Sequence, residues 1–236
     1  MTKIFIVDYR ISMEEYLNLK LFSDNIILCP RYEKLYNAID GHVDIQLHII
    51  DNNRIIVHKD IEKSFIEDLM NYGISVSYSK NPLEEHYPHN IHLNGLNLKK
   101  HFIHNITYTD PILLQEIKKK TLINIKQGYT KCSVAVVNDE ALITSDKKIF
   151  NELTKEGLDV LLVPPGDIIL KGLDYGFIGG TCGKIDDNIL AFYGSLDNYK
   201  YGETVKKFLT KHKVEPYYLS SGKLIDRGSI FTIIKN

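Results

Sequence analysis

The sequence predicts an α/β fold: a five-fold pseudosymmetric propeller of ββαβ repeats, with the ring closed by pairing of the N- and C-terminal strands. Three observations carry this expectation. A hairpin-forming stretch recurs five times, at Gly41 (GHVDIQLHIIDNNRIIV), Tyr87 (YPHNIHLNGLNLKKHFI), Gly128 (GYTKCSVAVVNDEALIT), Gly176 (GFIGGTCGKIDDNILAF) and Lys223 (KLIDRGSIFTIIKN). The starts lie 41–48 residues apart, within the range of repeat architectures. Four hairpins are followed by a polar helix and another strand, whereas the fifth runs out at Asn236 and the chain opens with strand, helix and strand, like two halves of one split unit. The expected repeats are approximately 41–86, 87–127, 128–175, 176–222, and 223–236 completed by 1–40, all in one domain over 1–236.

The elements follow in order. Lys3–Val7 is the opening strand, and Ser12 with Glu15 forms a capping box that starts a helix. Asn25–Leu28 is the returning strand, and Glu33–Ile39 reads as a short helix. In the first complete repeat, Ile45–Ile50 and Arg54–Val57 flank the turn formers Asp51, Asn52 and Asn53. Phe65, Ile66 and Leu69 then give a helical stripe stopped by Gly73, and Ile74–Tyr78 returns. The second repeat reads as strands Ile91–Leu93 and Phe102–Ile103, a helix opened by Asp110-Pro111, and a strand Leu122–Ile125. The third reads as Ser133–Val137, Ala141–Thr144, a helix from about Ser145 to Glu156 ended by Gly157, and Val160–Val163. In the fourth, Ile178 pairs with Ile189–Phe192, followed by a helix near Thr204–His212 and the strand Pro216–Leu219. Ile230–Ile234 is expected to pair with the first strand.

Composition excludes several classes of function. Lys plus Arg number 29 against 30 Asp plus Glu, a net charge of −1, so there is no global attraction to nucleic acid. No apolar run is long enough to span a membrane, and MTKIFIVDYR reads as a strand with no signal-peptide core. Cys29, Cys132 and Cys182 are odd in number and widely spaced, which argues for a reducing, cytoplasmic setting and against a disulfide framework or a CxxC zinc site. No metal or other cofactor is expected: no His/Cys spacing is specific for one, and no GxGxxG or Walker pattern precedes a helix. The oligomeric state is not legible.

Each hairpin opens with a polar or glycine-rich patch ahead of its apolar strand. These patches hold His42 and Asp44; His89, Asn90 and Asn94; Gln127, Lys131 and Cys132; Thr181 and Cys182; and Asp226 and Arg227. A strand core does not need such residues, but the centre of a ring, where the five openings face one another, could use them for a pocket. Read alone, each has a plain alternative. A free cysteine is often a small buried hydrophobe, Cys182 rivals Cys132 as a nucleophile, and a His-x-Asp pair can simply brace a hairpin.

Five ββαβ units closing into a ring resemble the pentein, or guanidino-group-modifying-enzyme, superfamily of arginine deiminases, dimethylarginine hydrolases, agmatine deiminases and amidinotransferases. GHVDIQLHIIDNNRIIV is similar to their His-x-Asp hairpin, and TKCSVAVV to the segment carrying their nucleophilic cysteine, two units later in both. The resemblance implies Cys132 as nucleophile, His42 as general acid/base and Asp44 as a clamp on the guanidinium. LIDRGSIF falls at the second acidic hairpin of the family, which implies Asp226 as a further acid; Asn90, Asn94, Gln127 and Lys131 would line the pocket. The chain departs in two ways. Its units are cyclically rotated, and GFIGGTCGKI has no carboxylate where arginine deiminases carry one. As a whole it is most similar to an uncharacterised bacterial family of this fold with GHxDIQ, QGYxKCS and GFIGG segments.

The chemistry implied needs these residue types. A guanidinium carbon is a poor electrophile, so a thiolate, the strongest side-chain nucleophile near neutral pH, is required, and a cation beside it (Lys131 or the substrate) would favour its ionisation. Carboxylates hold the planar cation in bidentate fashion, and a histidine protonates the departing amine and then activates water. The expected function is a hydrolase or deiminase acting on a small guanidino or amidino compound through a covalent Cys intermediate. Two alternatives stay open: an amidinotransferase, and a non-catalytic module of the same fold that binds a protein or ribosomal partner.

Overall fold

The computed structural model describes residues 1–235; Asn236, the last residue of the fifth repeat, lies outside the described residues. Five three-stranded sheets carry the architecture, and all five have one pattern: an antiparallel pair followed by a parallel third strand. The chain opens with β1 (Thr2–Asp8), α1 (Met13–Lys20) and β2 (Ile26–Cys29), and ends with β15 (Phe231–Lys235). β15 pairs antiparallel with β1 (Ile4 opposite Ile233), and β1 runs parallel to β2, so the two chain ends share one sheet as expected.

The first internal unit holds a one-turn helix α2 (Val43–Gln46), the hairpin β3 (Leu47–Asp51) and β4 (Arg54–Val57), α3 (Lys63–Asn71) and β5 (Ser75–Tyr78). The second has β6 (Leu96–Asn97), β7 (His101–His104), α4 (Pro111–Glu116) and β8 (Thr121–Asn124). The third has a one-turn helix α5 (Thr130–Ser133), β9 (Val134–Val136), β10 (Ala141–Thr144), α6 (Lys147–Lys155) and β11 (Asp159–Leu162). The fourth has β12 (Cys182–Asp186), β13 (Ile189–Phe192), α7 (Gly202–Lys211) and β14 (Glu215–Tyr218). The expected start and stop signals operate. Ser12 and Glu15 cap α1 reciprocally, Asp110 accepts from Ile112 N with Pro111 at the first position of α4, and Gly73 and Gly157 follow α3 and α6 with positive φ.

Apolar clusters join neighbouring sheets. Ile56, Phe102 and Leu113 join the first unit to the second; Ile103, Leu142 and Leu153 the second to the third; Ala135, Phe192 and Leu209 the third to the fourth. Phe5, Ile185 and Tyr193 join the fourth unit to the sheet of the chain ends, and Ile4, Val57 and Leu69 join that sheet back to the first unit. No helix is long and apolar enough to cross a membrane.

The structure corrects several element boundaries, most of them with one cause. Residues expected to begin the inner strands instead form helical turns. Ile45 lies in α2, Ser133 in α5 and Ile178 in a 3-10 turn (Ile178–Thr181), and Ile91–Leu93 forms turns in which Asn94 N donates to Ile91 O; the strands begin at Leu47, Val134, Cys182 and Leu96. Val43 and Ile45, like Ile91 and Leu93, are buried from within a turn, so their alternation imitates a strand. Glu33–Ile39 is not a helix either. It folds as successive turns (Leu35 N to Tyr32 O, Ile39 N to Tyr36 O) that bury Leu35 and Ile39.

Candidate active site

The pre-strand turns position the candidate residues. Each delivers one or two side chains just ahead of its inner strand: Asp44, Asn94, Cys132 and Ser229 from four units, and Gly179-Gly180 from the remaining one. These residues meet. The Cys132 thiol donates to Asp44 Oδ1 at 3.1 Å, and the Ser229 hydroxyl lies 2.7 Å from Asp44 Oδ2, with the Gly179 carbonyl 2.8 Å away as its other acceptor. Asn94 ties three units together. Its Nδ2 donates to Asp44 O (2.6 Å) and Cys132 Sγ (3.1 Å), and its Oδ1 accepts from the amides of Lys131 (2.9 Å) and Cys132 (3.3 Å). A ring nitrogen of His42, a carboxylate oxygen of Asp44 and the Cys132 sulfur all lie within 4.8 Å of one another.

His42 is 1 % exposed, and neither of its ring nitrogens has a hydrogen-bond partner. A buried imidazole without partners is costly unless the site uses it. Its nearest charge is Asp226, with Oδ1 3.9 Å from His42 Nδ1. Asp226 is fixed by the amides of Phe177 (2.8 Å) and Gly228 (3.0 Å). Gly228 adopts φ +68°, and a Cβ there would lie 2.3 Å from that of His42, so only glycine fits.

The glycines of the fourth unit have a related reason. A Cβ on Gly180 would lie 1.9 Å from Asp226 Oδ1, and one on Gly179 would lie 2.4 Å from the carbonyls of Lys131 and Val134. The glycines of this unit therefore leave room for the Asp226 carboxylate, which reaches in from the final hairpin.

Electrostatics hold the thiol protonated. Burial pushes the Cys132 pKa well above its usual value, and the charges of Asp44 and Asp226 raise it further. Burial likewise raises the Asp226 pKa, against the opposing pull of His42. Cys182 sits at the start of β12, its thiol pushed up to about 12 by burial, and its sulfur faces Ile178 O at 3.6 Å.

The remaining expected residues are distributed differently. The Lys131 ammonium turns to Ser229 Oγ (2.8 Å) and lies 5.8 Å from the Phe231 ring centre, and its charge is felt at Cys182. Asn90 is buried and serves the frame, accepting from Tyr129 OH (3.0 Å) and donating to Glu85 O (2.9 Å). Gln127 accepts from Tyr129 N (3.1 Å) and braces the turn leading to Cys132. Arg227 pairs with Glu15 at 3.0 Å. His104 is fully buried and is held between Thr109 Oγ1 (2.7 Å) and Gly128 O (2.9 Å).

Sequence reasoning missed Ser229 and the aromatic cover of Tyr36, Tyr129 and Phe177, which packs in one cluster with Cys132. Ser229 was findable, because counting back from each inner strand puts it level with Cys132 and Asn94. The cover had no signal, since Tyr36 comes from the turns before the first hairpin.

Cys132 is 3 % exposed, so the cluster is closed to solvent. A planar ion stacked between sulfur and imidazole needs roughly 6–7 Å between them, more than the spacing here, so such a ligand requires Cys132 and His42 to move apart. The three donor types also suit a tetrahedral zinc ion, with sulfur, nitrogen and oxygen each supplying one ligand.

Residues 6–231 match the family of unknown function DUF6873, and the chain belongs to that family. No curated protein matches. Among solved structures the chain is similar to DDAH from Pseudomonas aeruginosa, a cysteine-to-serine mutant complexed with citrulline (TM-score 0.56, 11 % identity, 93 % of each chain covered). It is similar to agmatine deiminase from C. jejuni (0.51, 14 %, 78 % of this chain and 67 % of that one). It also resembles an amidinotransferase from Microseira wollei in the saxitoxin biosynthetic pathway (0.55, 9 %, 84 % and 71 %). The fold is that of the pentein superfamily.

Proposed function

We propose that this chain is a hydrolase of a small cationic guanidino or amidino compound, working through a covalent intermediate on Cys132 in one closed five-unit domain. The observation that carries the reading is the convergence of Cys132, His42 and Asp44 within 4.8 Å, all buried, with His42 and Asp44 from the first internal unit and Cys132 from the third. The ring is supported by the β1–β15 pairing and by the apolar clusters that join each unit to the next, the chain-end sheet to the first unit included. Three buried, unbridged cysteines favour a reducing, cytoplasmic setting.

The substrate takes part in activating the nucleophile. Asp44 and Asp226 raise the thiol pKa; a guanidinium placed between them neutralises both charges and removes that effect. The thiol proton passes, directly or by way of Asp44, to His42 as sulfur bonds to the guanidino carbon. His42 protonates the departing nitrogen, the C–N bond breaks, and an amine or ammonia leaves. His42 then takes a proton from water, whose oxygen bonds to the carbon of the thiouronium, and C–S cleavage releases a ureido product and the thiol. Hydrolysis is favoured over amidino transfer because it needs no second amine site.

The test is incubation with arginine, agmatine, methylated arginines and guanidine. Ammonia or a ureido product that disappears in Cys132→Ala is expected; product formation undiminished in that variant removes Cys132 from the role.

A further inference from the structure

The inner strands have a second end, and it is chemically unlike the first. β3, β6, β9, β12 and β15 all contribute to a depression of about 590 Å³ lined by His48, Asn97, Val136, Lys184 and Thr232, among others. Four lysines surround it: Lys99, Lys120, Lys131 and Lys184. Among the described residues none of these ammonium groups forms an ion pair, whereas most other ion pairs in the chain hold a lysine or arginine to an acid. Two carboxylates reach the rim. Asp51 is already paired with Arg54 at 2.8 Å, and Asp139 accepts from the Lys99 amide. In a chain of net charge −1, this is a local surplus of positive charge in a concave, partly desolvated place, where field lines are focused.

Lys99 is exposed, whereas the other three lysines are held. Lys120 Nζ is fixed by Asn97 Oδ1 (2.5 Å) and Leu98 O (2.6 Å), Lys131 Nζ by Ser229 Oγ (2.8 Å), and Lys184 Nζ by the Asp187 carbonyl. These partners are neutral and leave ammonium protons over. Burial lowers the pKa of Lys120 and of Lys184, outweighing the opposite pull of Asp139 and Asp51 on the first and of Asp187 and Asp139 on the second. A second observation is independent of the lysines. His48, 3 % exposed, lines the depression, and its Nδ1 is bound to Leu93 O at 3.0 Å while Nε2 is buried with no partner. With the proton on Nδ1, Nε2 is a buried acceptor without a partner in the wall behind the depression.

We propose that this depression binds a small, multiply charged oxyanion, a phosphate ester or a polycarboxylate, with the lysine ammonium groups on its charges. The depression meets the Cys132 cluster through Lys131, whose ammonium donates to Ser229, but its anion-binding role does not depend on that cluster being catalytic.

Calorimetric titration of the full chain with hydrogen phosphate, pyrophosphate and citrate at constant ionic strength tests it. Saturable binding at one site is expected. It should weaken at least tenfold in Lys120→Met/Lys184→Met, which keeps the apolar stems and removes two charges, since a tenfold change is only about 1.4 kcal/mol. Tighter binding of pyrophosphate assigns the phosphate class, and tighter binding of citrate the carboxylate class. Lys184→Glu, on the half-exposed lysine, gives an independent reading should the double variant fold poorly, and should also lose affinity. Heats no larger than those of matched chloride, or equal affinity in both variants and the parent, overturn the proposal.

Discussion

The turn before β3 and the turn before β12 occupy equivalent places in their units, yet one carries Asp44 and the other carries Gly179-Gly180. Asp44 supplies a carboxylate from its own turn, accepting from Cys132 and Ser229. The glycine turn supplies space, and Asp226 from the final hairpin fills it, with its Oδ1 where a Gly180 side chain would stand. A glycine turn in one unit thus makes room for a carboxylate from its neighbour, and the assembled site has two carboxylates near one imidazole and one thiol.

The comparison breaks most sharply at Gly180. Gly180→Ala puts a methyl group on the Asp226 carboxylate and is expected to lower stability by about 2–4 kcal/mol in urea unfolding. Gly222→Ala, where a Cβ would meet nothing within 4 Å, is expected to change it by less than about 0.5 kcal/mol. Equal effects would mean that the glycine turn is not making room for the acid.

Asp44→Asn tests the other turn. Any guanidino-directed activity is expected to fall at least about 10²-fold, because the cation loses a buried clamp. The alkylation profile of Cys132 should move to lower pH, since the Asp44 charge raises the thiol pKa and the amide does not. Asp226→Asn should move the profile in the same direction by less, being the weaker of the two charges at the sulfur.

Asp226 also has a signature in stability. Burial raises its folded pKa above the usual carboxylate value, so its contribution is complete at acid pH and is lost as pH rises through the folded value. Asp226→Asn should therefore be more stable than the parent at pH 7, with the difference shrinking on acidification, as chemical denaturation at several pH values would reveal. A difference that grows toward acid pH would reverse the sign of this argument. The smallest effect belongs to Lys131→Met, which removes one neutral-acceptor hydrogen bond, to Ser229. It should cost about 1 kcal/mol or less and leave the alkylation profile of Cys132 nearly unchanged.

The frame was legible because its signals are local and repeated: Asn-rich turns between apolar runs, Ser12 with Glu15, Asp110-Pro111, and Gly73 and Gly157 at helix ends. The one-turn helices were not. Val43, Ile45, Ile91 and Leu93 are buried by the packing of neighbouring units, and a short buried turn has the same apolar alternation as a strand. For the site, Cys132, His42, Asp44, Asn94 and Asp226 were legible and do come together, whereas Asn90 and Gln127 brace the frame around Tyr129. Ser229 and the Tyr36–Tyr129–Phe177 cover escaped, because their relation to Cys132 exists only once distant segments are packed. The role of the fourth-unit glycines was the hardest to read: nothing in GFIGGTCGKI says that they accommodate the Asp226 carboxylate from nearly fifty residues away.

The central claim is that Cys132 is a nucleophile set among acids that hold a planar cation. It is tested most directly by comparing two alkylating agents of one shape, chloroacetamidine, a cation, and chloroacetamide, which is neutral, with the modified residue identified by peptide mass mapping. The account predicts labelling at Cys132 alone, at least about tenfold faster for the cation, a preference that corresponds to some 1.4 kcal/mol and disappears in Asp44→Asn. Labelling at Cys182 or Cys29, or equal rates for the two agents at Cys132, would contradict it.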